Sequence, residues 1–210
     1  MALDLRFEEC RGDEITARIR ELGRLRIAVF RDYPYLYDGD ENAEREYLRT
    51  YAAAAGSYVC LASDGREAVG ATTCVPMTEA EEAFRKPFAD AGWDLTRICY
   101  FGESVLLPGY RGRGVGREFF RRREAEAARL GLTVTTFCAV DRPAHHPARP
   151  RGYRPLDDFW ESQGYLRCSE LQAVFPWKET GADRETDHTL TFWIKEVARP
   201  RSGRTRMQLE

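Results

Sequence analysis

Residues 103 to 116 read Glu-Ser-Val-Leu-Leu-Pro-Gly-Tyr-Arg-Gly-Arg-Gly-Val-Gly, and an amphipathic run from Arg117 to Leu130 follows at once. Few arrangements accommodate such a segment. The apolar stretch Ile98 to Leu107 reads as a strand, and Pro108 must stop it because proline has no N–H to give to a ladder. Gly112, Gly114 and Gly116 let the backbone turn sharply and leave its N–H groups uncovered, while the helix behind them adds the positive end of its dipole. A strand, a glycine-rich turn and a helix start, in that order, form a cradle for phosphate or pyrophosphate. Arg111, Arg113 and Arg117 surround the same spot with permanent charge.

Two familiar phosphate ligands are excluded by what is missing. The loop lacks the Gly-Lys-Ser/Thr ending of a nucleotide triphosphatase loop, and its alternating glycines break the G-x-G-x-x-G spacing of a dinucleotide site. Bulk charge is no guide to nucleic acid either, since 32 basic side chains face 34 acidic ones for a net charge of -2. No nucleic-acid partner is expected. No run approaches the roughly 18 apolar residues of a membrane helix, so no membrane role is expected. Asp4, Glu8 and Glu9 stand where a secretory leader would be basic and then apolar. The expectation is a cytoplasmic protein with reduced cysteines. A zinc set drawn from Cys138, His145, His146 and Cys168 matches no compact ligand spacing, so no metal is expected.

At 210 residues the chain fits one domain, placed at residues 1–198, with an Arg/Pro/Gly-rich tail at 199–210 expected to be disordered. Leu3, Leu5 and Phe7 alternate as a first strand, and Asp13 is placed to cap a helix carrying Ile15, Ile19, Leu22 and Leu25. A second helix over residues 41–54 is expected to end on a left-handed Gly56. Residues 57–62 and 67–75 form a hairpin across Asp64-Gly65. A helical segment at 78–91, the strand at 98–107, a helix to Leu130, a strand at 132–140, a short helix at 155–163 and strands at 166–177 and 189–196 complete the order. The fold class is α/β: a mixed, mostly antiparallel twisted sheet of about seven strands flanked by four or five helices.

Arg111-Gly-Arg-Gly114-Val-Gly116, after a strand ending Leu-Leu-Pro, resembles the R-x-x-G-x-G acyl-CoA loop of the GNAT acetyltransferase superfamily. Phe159-Trp160-Glu161-Ser162-Gln163-Gly164-Tyr165 resembles that superfamily's Phe-Tyr-x-x-x-Gly-Phe segment. The two matches span about residues 98–166, and the remaining order of elements agrees.

The resemblance implies acetyl-CoA as the acyl donor, with its pyrophosphate on Arg111, Gly112, Arg113, Gly114, Val115 and Gly116 and its pantetheine arm paired with Ser104 and Leu106. It implies that the fourth strand splays from the fifth at a bulge, and that the Leu106 N–H stabilises the charge developing on the acyl oxygen. Glu103 is the nearest carboxylate for a general base, or else it merely pairs with a nearby arginine. Trp160 stands where the family often has a proton-donating tyrosine; indole cannot serve, which leaves Tyr153 or Tyr165. A homodimer through the last strands is a further expectation of the superfamily.

The other substrate is expected to be a small-molecule amine that attacks directly in a ternary complex. Tyr33, Tyr35, Tyr37 and Asp38, between the first two helices, suit a cation, or else pack as a connector. The basic loop 141–154, with Arg142, His145, His146, Arg149, Arg151 and Arg154, suits an anion and pulls the other way. Rival readings are a transferase of another acyl group, resembling acyl-homoserine-lactone synthases, an acyl-CoA sensor without catalysis, and an adaptor using Pro147-Ala-Arg-Pro150.

Overall fold

In the computed structural model, residues 5–197 are described. The tail expected at 199–210 lies outside them. The elements are β1 (Leu5–Arg11), α1 (Asp13–Thr16), α2 (Ile19–Phe30), α3 (Glu41–Ala53), β2 (Tyr58–Asp64), β3 (Glu67–Pro76), α4 (Glu82–Asp90), β4 (Ile98–Tyr100), β5 (Ser104–Leu106), α5 (Val115–Arg129), β6 (Val134–Val140), α6 (Asp157–Ser162), β7 (Leu166–Lys178) and β8 (Glu185–Glu196). The sheet runs β1-β2-β3-β4-β6-β8-β7, with β5 also on β3. All pairings are antiparallel except β4 with β6.

Both faces of the central strands are covered, which is why β2 and β3 read as nearly continuous apolar runs. On one face α2 and α3 pack Leu22, Leu25 and Leu48 onto Val59, Leu61 and Ala71. On the other, α5 and α6 cover Tyr58, Cys60, Phe101 and Phe137. Leu22 and Leu25 are 0% exposed, so truncating either to alanine should cost about 2–5 kcal/mol.

Several local expectations shift. The first helix is broken into α1 and α2, and Gly12, with φ of 51°, takes the cap position expected for Asp13. The left-handed turn at Gly12 has already redirected the chain, so Asp13 becomes the first helical residue. Asp40 caps α3, accepting from the N–H groups of Asn42 and Ala43. Gly56 is not left-handed; the helix ends on extended Ala54 instead. A glycine is needed at 56 because a Cβ there would lie 2.4 Å from the Pro76 ring.

The largest departure decides the site. The single strand expected at 98–107 is two strands. Tyr100 faces Val75, but Ser104 faces Thr72, so two residues of β3 oppose three on the other side. This one-residue excess is a bulge, and it turns β5 away from β6. Thr73 makes it: its amide donates to the Glu103 carbonyl, its carbonyl accepts from Gly102, and its hydroxyl takes the Glu103 N–H at 2.9 Å.

Candidate active site

The bulge opens a gap between β5 and β6. Phe101 N–H still donates to the Thr136 carbonyl at 2.7 Å, but beyond that point β6 pairs only with β8 among the described residues. Across the gap, Glu103 and Leu107 turn their backbone groups toward β3, through Thr73 N–H to Glu103 O and Leu107 N–H to Val69 O. Backbone direction alternates along a strand, so the N–H groups of Ser104 and Leu106 face the gap. This free edge can accept an extended chain as an added strand.

One end of the edge leads into the glycine loop. Gly112 and Gly114 have φ of +72° and +87°, and no atom lies within 4 Å of where a Cβ would stand. The space beside Gly112 and Gly114, just ahead of the N-terminal amides of α5, is therefore open. Arg111, Arg113 and Arg117 are exposed, and none has an acidic partner among the described residues. Arg111 Nε donates to the Leu106 carbonyl at 3.1 Å, tying the loop to β5. Gly116 has a different reason to be small: a Cβ there would sit 3.2 Å from the Phe159 ring of α6. Val115 is buried and anchors the helix start. The cradle fits a pyrophosphate in shape and charge.

The opposite face of the sheet holds a cavity of about 270 Å³ that reaches the gap at Tyr100, Gly102, Glu103 and Cys138. Glu103, 4% exposed, stands at this junction. Its Oε1 accepts from Arg26 Nη1 and from the Tyr47 hydroxyl at 3.1 Å, and its Oε2 accepts from the Thr73 hydroxyl. Arg26 also pairs with Glu44. Burial opposes the Arg26 charge, but the facing Glu103, with Glu44, outweighs it and holds the guanidinium above its ordinary pKa. Burial, then the Glu103 charge, pushes the Tyr47 phenol well up. Burial also pushes the Cys138 thiol up to about 12. A carboxylate offers about four lone-pair directions; three are taken among the described residues.

Residues 24–153, more than half of the chain, match the Acetyltransferase (GNAT) family. The protein belongs to the GNAT acetyltransferase family. No curated protein matches it. Among solved structures, an acetyltransferase from Thermus thermophilus aligns at 15% identity over 93% of this chain and 99% of its own, with a TM-score of 0.58. A ribosomal-protein-alanine N-acetyltransferase from Brucella melitensis aligns at 15% identity over 91% and 99%, TM-score 0.58. A Salmonella typhimurium protein solved with its cofactor acetyl-CoA aligns at 14% identity over 93% and 96%, TM-score 0.56. At these identities the likeness is one of fold.

Within this GNAT fold, the residues singled out from the sequence separate into groups. Glu103, Tyr35 and Tyr37 line the cavity, and Ser104 and Leu106 lie along the gap. Tyr33 and Asp38 do not line it: Tyr33 packs edge-on against Tyr153 at 4.7 Å, and Asp38 pairs with Lys178 at 2.9 Å. Tyr165 is 0% exposed beneath α5, its hydroxyl bonded to Thr135 at 2.9 Å and Glu124 at 3.1 Å. It is a core residue packed between Phe101 and Phe137. Tyr153 is half-buried in the 141–154 loop, where burial raises its pKa.

The two loops named from the sequence meet in three dimensions. Arg142 donates to the carbonyls of Pro34 and Tyr35 at 2.6 and 3.0 Å and pairs with Glu179. The basic loop thus buttresses the tyrosine connector. His146 Nδ1 accepts the Ala148 N–H within its own turn. The residues missed from the sequence are Arg26, Glu44, Tyr47, Phe84, Phe175 and Trp177, which come from four helices and strands to one cavity. Their helical spacings, Arg26 to Phe30 and Glu44 to Tyr47, gave a same-face signal that nothing in one dimension tied to a site.

Proposed function

We propose that this protein transfers the acetyl group of acetyl-CoA directly to the amine of a small molecule held in the cavity behind Glu103. The observation that carries the reading is the free β5 edge, which joins the phosphate-shaped cradle on one face to the carboxylate-bearing cavity on the other. When bound, acetyl-CoA supplies an acyl group already activated as a thioester. The α5 amides with Arg111, Arg113 and Arg117 would hold the pyrophosphate, and Ser104 and Leu106 would pair with the pantetheine arm. The Leu106 N–H would then donate to the acyl oxygen as negative charge develops there, as an oxyanion donor does.

The acceptor enters as an ammonium and must lose a proton before attack. Glu103, fixed by Arg26, Tyr47 and Thr73, offers its remaining lone pair to that ammonium and takes the proton directly or through water. Such base assistance contributes about 10²–10⁴-fold. A thiolate with an ordinary pKa of about 8.5 is a fair leaving group, and Tyr153 is the tyrosine candidate that is not enclosed in the core.

The test is calorimetric titration with acetyl-CoA, free CoA and ATP, followed by thiol release with a mixed amine panel. Saturable one-to-one acetyl-CoA binding, weak ATP binding and amine-dependent thiol release are expected. Absence of acetyl-CoA binding overturns the reading, and binding without turnover with any amine reduces it to an acyl-CoA binder.

A further inference from the structure

The cavity behind Glu103 is walled chiefly by rings, among them Phe30, Tyr35, Tyr47, Phe84, Phe175 and Trp177. Several are already braced: Phe84 stacks on Phe175 at 5.3 Å and Tyr35 lies 5.8 Å from Trp177. They form an apolar slot that needs no rearrangement to accept a flat or branched body.

The charged lining is Glu44, Glu103 and Glu185 against Arg26 alone. Arg26 already faces both Glu44 and Glu103, with Phe30 and Tyr47 against its planar faces at 5.2 and 4.5 Å. The balance is negative, and aromatic faces add further negative potential. A cation gains from this field. A ligand carboxylate meets like charge, with an arginine whose charge is already matched as its one receiver.

We infer that the acceptor is a compact primary amine with an aromatic or branched apolar body and no carboxylate, the class represented by 2-phenylethylamine. This rests on the acetyl-transfer reading above and deepens it. The amine points to Glu103, where the cavity meets the gap, and the body lies between the Phe84–Phe175 and Tyr35–Trp177 pairs. A volume of about 270 Å³ holds a ring and a short chain.

The test measures thiol release by the full chain at fixed acetyl-CoA with 2-phenylethylamine, phenylalanine, glucosamine and an alanine-led peptide. The kcat/KM for 2-phenylethylamine is expected to exceed each of the others by about 100-fold or more. Glu185→Lys, a charge reversal at the exposed rim, should raise the KM for 2-phenylethylamine by about 3- to 10-fold with kcat within about twofold, and should narrow the preference over phenylalanine. Faster acetylation of phenylalanine, glucosamine or the peptide overturns the inference while leaving acetyl transfer intact. Failure of acetyl-CoA to bind sinks the parent reading, and calorimetry with 2-phenylethylamine against phenylalanine still decides the cavity's preference: no binding, or tighter phenylalanine binding, overturns it.

Discussion

Gly114 offers a way to separate backbone strain from charge at the cradle. It holds φ of +87° at the cap of α5, with no atom within 4 Å of the missing Cβ. Gly114→Ala therefore introduces strain without a clash. A left-handed backbone costs a non-glycine residue about 1–2 kcal/mol, which for a domain of this size lowers Tm by roughly 2–8 °C. Because the arginines and α5 amides remain, acetyl-CoA affinity should fall by less than about tenfold. Gly114→Glu carries the same strain and adds a carboxylate beside Arg111, Arg113 and Arg117. At an exposed site each pyrophosphate charge is repelled by about 1–2 kcal/mol. Two such charges weaken binding by about 2–4 kcal/mol, or about 30- to 1000-fold. Melting curves and calorimetric titration of the two variants measure the two effects apart. If Gly114→Glu bound acetyl-CoA within about threefold of Gly114→Ala, the pyrophosphate would have to lie elsewhere.

Glu103→Gln keeps the shape and removes the charge that faces Arg26 and the cavity; kcat/KM should fall by about 10²-fold or more with acetyl-CoA binding unchanged by calorimetry, and unaltered kinetics would remove Glu103 from the mechanism. Tyr165→Phe deletes a hydroxyl bonded to Thr135 and Glu124, so it should cost about 1 kcal/mol of stability and leave kcat within about twofold; a kcat loss of about 100-fold would place Tyr165 in the proton path. For His188, burial lowers the pKa from its ordinary 6.5, only partly offset by the Trp177 carbonyl. The unfolded chain then binds the proton more readily, so stability present above pH 6.5 is lost as pH falls through 6.5 toward the folded-state value. Tm should therefore drop between pH 7.5 and 5.5, less so in His188→Gln, and equal drops in both would exclude His188 as the source.

Legibility from sequence followed distance along the chain. The Asp64-Gly65 hairpin, the stop at Pro108 and the α5 start were visible because each depends on residues within a turn of one another. Gly56 and Gly116 carry a reason that no local pattern holds: a Cβ at either would crowd a side chain from elsewhere, Pro76 and Phe159. Tyr165 shows a related dependence on packing. A tyrosine carries a donor on an aromatic body, and only the packing of Thr135 and Glu124 around it shows that the hydroxyl is satisfied in the core.

By itself, then, the sequence determined that a strand gives way to a glycine turn carrying three arginines at the head of a helix, since glycine and proline act there through local backbone geometry. The tertiary structure decided where that turn leads. Thr73, 30 residues from Glu103 along the chain, inserts its hydroxyl to form the bulge, and Arg26, 77 residues away, fixes the carboxylate. Those bonds exist only after the sheet has paired and both helices have packed on it, because their partners are brought together by burial of apolar faces that no local pattern encodes.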